Sequence, residues 1–189
     1  MKEKDKEYYE IKVSKNSNFT LFSSDNKSYD AVYYMEEYTR NSLVCTYEIT
    51  ITCHSETMVD NIKLIALIGR IYGNTEHCTV IIGSRLAVLV DDYLSIIELS
   101  DISLITKVKI LSFGTGIALY SFDGGLLVHG EIDVVKIDYD GNTEWSFSAR
   151  DVWVTADGTD ALRIEGDKIF LTDFEGYTYV LNRYGEEIS

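Results

Sequence analysis

The chain has 189 residues, 17 of them basic and 31 acidic, for a formal net charge of -14. A field of that sign repels nucleic-acid phosphates and anionic membrane surfaces and favours a cationic partner. With 46% hydrophobic and 12% aromatic residues it is not a disordered chain, and its length needs no disulfide or metal to complete a core.

The first ten residues, MKEKDKEYYE, are charged throughout and hold no apolar stretch of the kind an export signal needs. The most apolar run, Ile62 to Ile71, contains Lys63 and Arg70 and falls short of the roughly 20 residues that span a bilayer. Three cysteines, Cys45, Cys53 and Cys78, cannot all pair with one another. These features together lead us to expect reduced thiols and a cytoplasmic protein.

Proline is absent, so turns must be made by Gly, Asn, Asp and Ser. Residues 7 to 53 then read as strands. Glu7–Val13, Phe19–Phe22 and Tyr29–Tyr38 are separated by the turn clusters at 14–18 and 24–27. Over Leu43–Cys53 the residues Leu43, Cys45, Tyr47, Ile49, Ile51 and Cys53 share one face, the period of a half-buried strand. An antiparallel meander of about four strands is expected here.

Residues 56 to 71 suggest the one helix. Ser55 is a cap, Glu56 and Asp60 lie in the first turns, and Met58, Ile62, Ile65 and Ile68 fall at helical spacing before Gly69 and Gly73. A buried strand pair over Leu64–Ile71 is the competing reading. Residues 1–75 thus form a meander plus helix, and 76–189 a second region, unless the two are one continuous domain.

From Thr79 onward strand starts recur about every ten residues with Gly, Asp or Ser turns between them, the pattern of all-β sandwiches, barrels and propellers. Three segments align: Ser84–Leu89 with Ile96–Asp101, Gly125–His129 with Val134–Trp145, and Gly166–Leu171 with Thr178–Ile188. Each is an apolar strand, a short polar gap and a second strand. Gly141 and Gly185, at the corners that follow, lie 44 positions apart, within the range of a propeller blade.

The stretch Ile137-Asp138-x-x-Gly141-x-x-x-Trp145 resembles the turn of a PQQ-type or WD40-like β-propeller blade, and Leu181-Asn182-x-x-Gly185 is a second copy. Leu99-Ser100 is a third without the glycine. The Asp or Asn side chain bonds its own backbone two residues on, and Gly takes the positive φ of the corner. The resemblance covers residues 79 to 189. It implies four-stranded blades, with Asp138, Gly141, Asn182 and Gly185 as structural turns and Trp145 packing between blades. At most three such blades are countable, against the four to eight of closed propellers, so an incomplete or atypical propeller is expected.

No catalytic template is met. Asp138–Glu144 departs from a calcium loop, since the glycine comes one residue after the second Asp and position twelve is Ala149. Cys53-His54 and His77-Cys78 lack zinc spacing, and Cys45 and Cys53 would lie about 26 Å apart along a straight strand. Gly114-Thr115-Gly116 lacks the third glycine and helix of a dinucleotide loop. His54, His77 and His129 carry no local signature of nucleophilic catalysis. No cofactor and no metal are expected.

Tyrosine is the unusual residue, with 14 copies. Tyr8-Tyr9 beside Glu10, and Tyr33-Tyr34 beside Glu36 and Glu37, place one ring of each pair outward on a two-faced strand. Such rings beside carboxylates are docking surfaces for a Lys- or Arg-rich protein. The reading that follows is a non-enzymatic interaction module with a basic protein partner, in its sharpest form an immunity protein or antitoxin that masks a basic toxin. One alternative is a propeller-like ligand-binding or hydrolytic protein with its site near His129, Asp133 and the Gly114 loop. The other is a structural subunit that closes its sheet edges by oligomerising.

Overall fold

In the computed structural model, residues 8–55, 59–70, 73–148, 150–155 and 158–188 are described. They form fifteen strands in four sheets, and no described residue is helical.

The first sheet holds β1 (Tyr8–Lys15), β2 (Ala31–Tyr34), β3 (Cys45–His54) and β4 (Asn61–Gly69), in the spatial order β1-β3-β4-β2. It corrects two expectations. The helix over 56–71 is not formed: residues 61–69 are β4, while residues 56–58 and 71–72 lie outside the described residues. Its apolar run reads as helical because β4 is buried on both sides. Ile65 and Leu67 enter one core, Ala66 and Ile68 another, and a strand covered on both faces loses its period-two signature. Gly69 is no helix stop but a close approach, where a Cβ would stand 2.7 Å from the side chains of Asp91 and Val90.

The antiparallel meander is also absent. β1 pairs directly with β3, and β2 joins the far edge of the sheet parallel to β4. Phe19–Phe22 forms no strand. The clusters that read as hairpin turns instead build a loop held by side-chain amides. Asn26 accepts from the Thr20 amide and donates to the carbonyls of Thr20 and Ser23, and Asn16 receives the Asn18 amide. This loop lays Phe19, Leu21 and Tyr29 over the outer face of the sheet.

The remaining sheets are antiparallel meanders in chain order. The second is β5 (Thr79–Ile82), β6 (Arg85–Val90), β7 (Tyr93–Glu98) and β8 (Leu104–Lys109). The third is β9 (Gly116–Phe122), β10 (Gly125–Gly130), β11 (Asp133–Ile137) and β12 (Thr143–Ser148). The fourth is β13 (Leu162–Glu165), β14 (Lys168–Thr172) and β15 (Thr178–Leu181), continued by a single bridge from Leu181 to Glu187.

Each sheet shares a core with the next. Tyr47, Ile49, Ile65 and Leu67 of the first meet Leu86, Val88, Val90 and Ile97 of the second. Ala87, Leu89, Leu94 and Ile96 meet Leu119, Leu126, Val128 and Val135 of the third. Phe122, Leu127 and Val134 meet Leu162, Ile169, Leu171 and Leu181 of the fourth. Successive central strands therefore bury both faces, which is why β6, β7, β10 and β11 read as nearly unbroken apolar runs.

Candidate functional site

An antiparallel meander sends its first and third turns to one end of the sheet and its second turn to the other. In each of the second to fourth sheets the corners at 83–84 and 99–103, 123–124 and 138–142, and 166–167 and 182–186 thus lie at one end, and the Arg85–Asp140 and Arg183–Asp123 pairs bring those ends together. The start of β4 in the first sheet joins them, since Lys63 Nζ donates to the Ser100 carbonyl at 2.8 Å. This end is rich in carboxylates. Glu10, Asp60, Asp101, Asp123, Asp140, Glu144, Asp167, Glu186 and Glu187 are all exposed there. Several cations there are engaged: Arg85 meets Asp140 at 3.4 Å, Lys136 meets Glu144 at 3.1 Å, and Arg183 meets both Asp123 and Asp167 at 3.2 Å.

The turns hold these charges in fixed geometry. Asp138 accepts from the Asp140 and Asn142 amides and from the Asn142 side chain, and these bonds hold its carboxyl below the usual range. Asn182 accepts from the Tyr184 and Glu186 amides. Asp101, in the copy that lacks glycine, accepts from the Ser103 hydroxyl and amide and is lowered by the same cause. Gly141 and Gly185 take φ of +91° and +76°. In the second sheet Ile102 takes the equivalent conformation at +58°, a strained state for a β-branched side chain.

These corners also lock neighbouring sheets together. A Cβ on Gly185 would stand 2.5 Å from the Trp145 ring, and Trp145 Nε1 donates to the Arg183 carbonyl at 2.9 Å. One sheet earlier, Gly141 rests on Thr106 and Val108 of β8. The last strands of the second and third sheets thus receive the final corner of the sheet that follows.

The two tyrosine–glutamate groups are separated. β1 and β2 form opposite edges of the first sheet; Tyr8 pairs with His54 at one end, and Tyr34 with Ile68 at the other. Tyr8 is 63% exposed and stacks on His54 with ring centroids 4.6 Å apart, while Tyr9 packs inward. Glu10 lies 3.4 Å from His54, which also meets Asp60 at 3.0 Å, so this group belongs to the acid-rich end. Tyr33 packs into the first core and donates to the Ile102 carbonyl, and Tyr34 is 38% exposed. Glu36 is engaged by Arg70 at 3.7 Å and by the Tyr93 hydroxyl at 3.4 Å, while Glu37 is exposed.

The sequence reading placed Asp133 near a candidate site but did not show that buried carboxylates recur with the blades. Asp92, Asp133 and Asp173 stand at the second turn of consecutive sheets, 41 and then 40 positions apart. Asp92 receives Lys109 at 2.8 Å and Arg70 at 3.3 Å. Asp133 receives the hydroxyls of Ser112 and Ser148 at 2.6 and 2.7 Å. Asp173 receives the Tyr177 amide at 2.9 Å and the Tyr179 hydroxyl at 3.0 Å. Their regular spacing was the available signal, hidden because their partners come from different segments. All three are fully occupied in binding the turns down.

At this opposite end a cleft of about 270 Å³ opens between the segment before β5, strands β9 and β10, and residues 153–155 and 158–162. His129, only 4% exposed, lines it, and burial pushes its pKa down to about 4. Among the described residues neither His129 Nε2 nor Trp153 Nε1, also in the lining, finds a hydrogen-bond partner. Each such buried orphan costs about 1–3 kcal/mol. Asp133 and the Gly114 loop, which the sequence grouped with His129, are outside this lining. Among the described residues no three His, Cys, Asp or Glu side chains converge as a metal site, and no helix is long and apolar enough to cross a membrane.

Four sheets stacked in chain order, with glycine corners seated on the preceding blade, define a β-propeller-like array. The blade repeats extend to the first sheet, beyond the 79–189 region where the motifs are legible. The fold is similar to the β-propeller domain of Cps50 (Swd1) from Myceliophteria thermophila, with 14% identity and a TM-score of 0.50 over 80% of this chain and 57% of that one. It is also similar to BamB from Moraxella catarrhalis, with 16% identity and a TM-score of 0.48 over 76% of this chain and 44% of that one. The chain spans about half the length of these structures. No family model and no curated protein matches the sequence.

Proposed function

We propose that this chain is a non-enzymatic protein-interaction module that presents the acid-rich end of its blades to a basic protein partner. The observation that carries the reading is the gathering of exposed carboxylates from all four sheets onto one end, several of them on corners that side-chain hydrogen bonds fix. A fixed field of one sign steers a cationic surface into register and speeds its association. Tyr8, stacked and half-exposed at the rim of that end, adds an aromatic contact of the kind enriched at interfaces. In the narrowest form of the reading the partner is a basic toxin and the chain is its cytoplasmic immunity protein; net charge and the absence of a catalytic template in the sequence support this.

The test is capture of partners by the whole chain at low and at high salt, compared with Asp140→Lys and Glu187→Lys. Association of a steered partner slows by tenfold or more in the charge-reversed chain and at high salt. A partner held equally by both chains at both salts overturns the proposal.

A further inference from the structure

The acid-rich end leaves the cleft at the opposite end unexplained. Its walls come from three separate segments, with His77 before β5, Tyr120 and His129 on β9 and β10, and Trp153 and Asp160 before β13. Two of these carry unmet polar atoms, both in side chains more than nine-tenths buried. We infer that this cleft is a binding site for a small uncharged polyol or saccharide, with His129 and Trp153 reading its hydroxyl groups.

The chemistry of the lining selects that class. No Lys or Arg is among the described lining residues; burial raises the pKa of Tyr120, and the nearby Asp160 carboxylate raises it further. A carboxylate or phosphate ligand would meet that charge without a counterion, inside a chain of net charge -14. An ammonium ligand fails for the opposite reason: it only donates, and the indole N–H of Trp153 needs an acceptor. A hydroxyl both donates and accepts. It satisfies the indole, and it satisfies His129 Nε2 in either tautomer of the neutral ring. The volume falls just below the usual range of ligand clefts, which suits a single sugar ring rather than a dinucleotide. Tyr120 supplies the apolar surface against which the C–H face of such a ring rests.

This site is independent of the protein partner and is tested without one. The whole chain, labelled with ¹⁵N, is titrated with D-glucose, N-acetyl-D-glucosamine and glycerol, and in parallel with inorganic phosphate. The Trp153 indole and His129 ring signals are followed. At least one of the three neutral probes should shift both signals saturably, with a dissociation constant on the order of 1 mM, while phosphate should not. His129→Leu, which fills the same space without a polar atom, weakens the response tenfold or more. Trp153→Phe, which deletes the donor and keeps a ring, does the same and serves if the first variant does not fold. Absence of a saturable shift with all three neutral probes, an equal response to phosphate, or full binding by a folded variant would each overturn the site.

Discussion

The first sheet and the three that follow are built from similar residues by different rules. In the later sheets spatial order copies chain order, because each corner is coded locally. Asp138 or Asn182 bonds its own backbone, and Gly141 or Gly185 takes the positive φ. In the first sheet, β2 crosses to the far edge and runs parallel to β4, held by Asp30 receiving the Leu64 amide and by Met35 donating to the Ile68 carbonyl. Those bonds join residues more than thirty positions apart in sequence. Turn chemistry thus specifies a meander from short range, whereas a non-local pairing leaves no local mark.

The sharpest way to break this contrast is Ile65→Ala. Ile65 is fully buried in the core that the first sheet shares with the second, so the change should cost about 2–5 kcal/mol. Both tryptophans, Trp145 and Trp153, lie far along the chain. If the sheets unfold as one unit, urea midpoints from tryptophan fluorescence and from circular dichroism will fall together. A fluorescence midpoint that does not move would make the first sheet a separate folding unit.

A second effect isolates the later sheets by pH. The pKa of His129 falls from 6.5 to about 4 on folding, so the unfolded chain binds the proton first. The stabilisation is complete above pH 6.5 and is lost as pH falls toward 4, by about 3 kcal/mol. His129→Leu should flatten the stability profile over that window. The lowered carboxyls of Asp101 and Asp138 act in a separate window: their contribution is present above their ordinary value of 3.8 and is lost as pH drops through the folded values. A urea midpoint measured across the two windows separates the causes.

The smallest difference is that between two corners. Gly83 and Gly185 both have positive φ, +58° and +76°, so alanine at either costs about 1–2 kcal/mol from the backbone. Only Gly185 also abuts a ring, and overpacking against Trp145 should add about 1–3 kcal/mol. Equal losses for Gly83→Ala and Gly185→Ala would mean that Trp145 moves freely and that the corner does not lock the blades.

What the sequence by itself determined follows from short-range physics. Positive-φ glycines, self-bonding Asp and Asn side chains and period-two alternation are legible because each depends on residues within a few positions. They suffice for blade repeats over 79–189, whereas which ring of each tyrosine pair faces outward is not legible in them. Tertiary structure alone decided the rest. Burial on both faces turned an apparent helix into β4. Stacking of sheets drew carboxylates from distant corners onto one end and separated Tyr8 from Tyr34. Three unrelated segments met around His129 because only packing brings residues 77, 120, 129, 153 and 160 to one place.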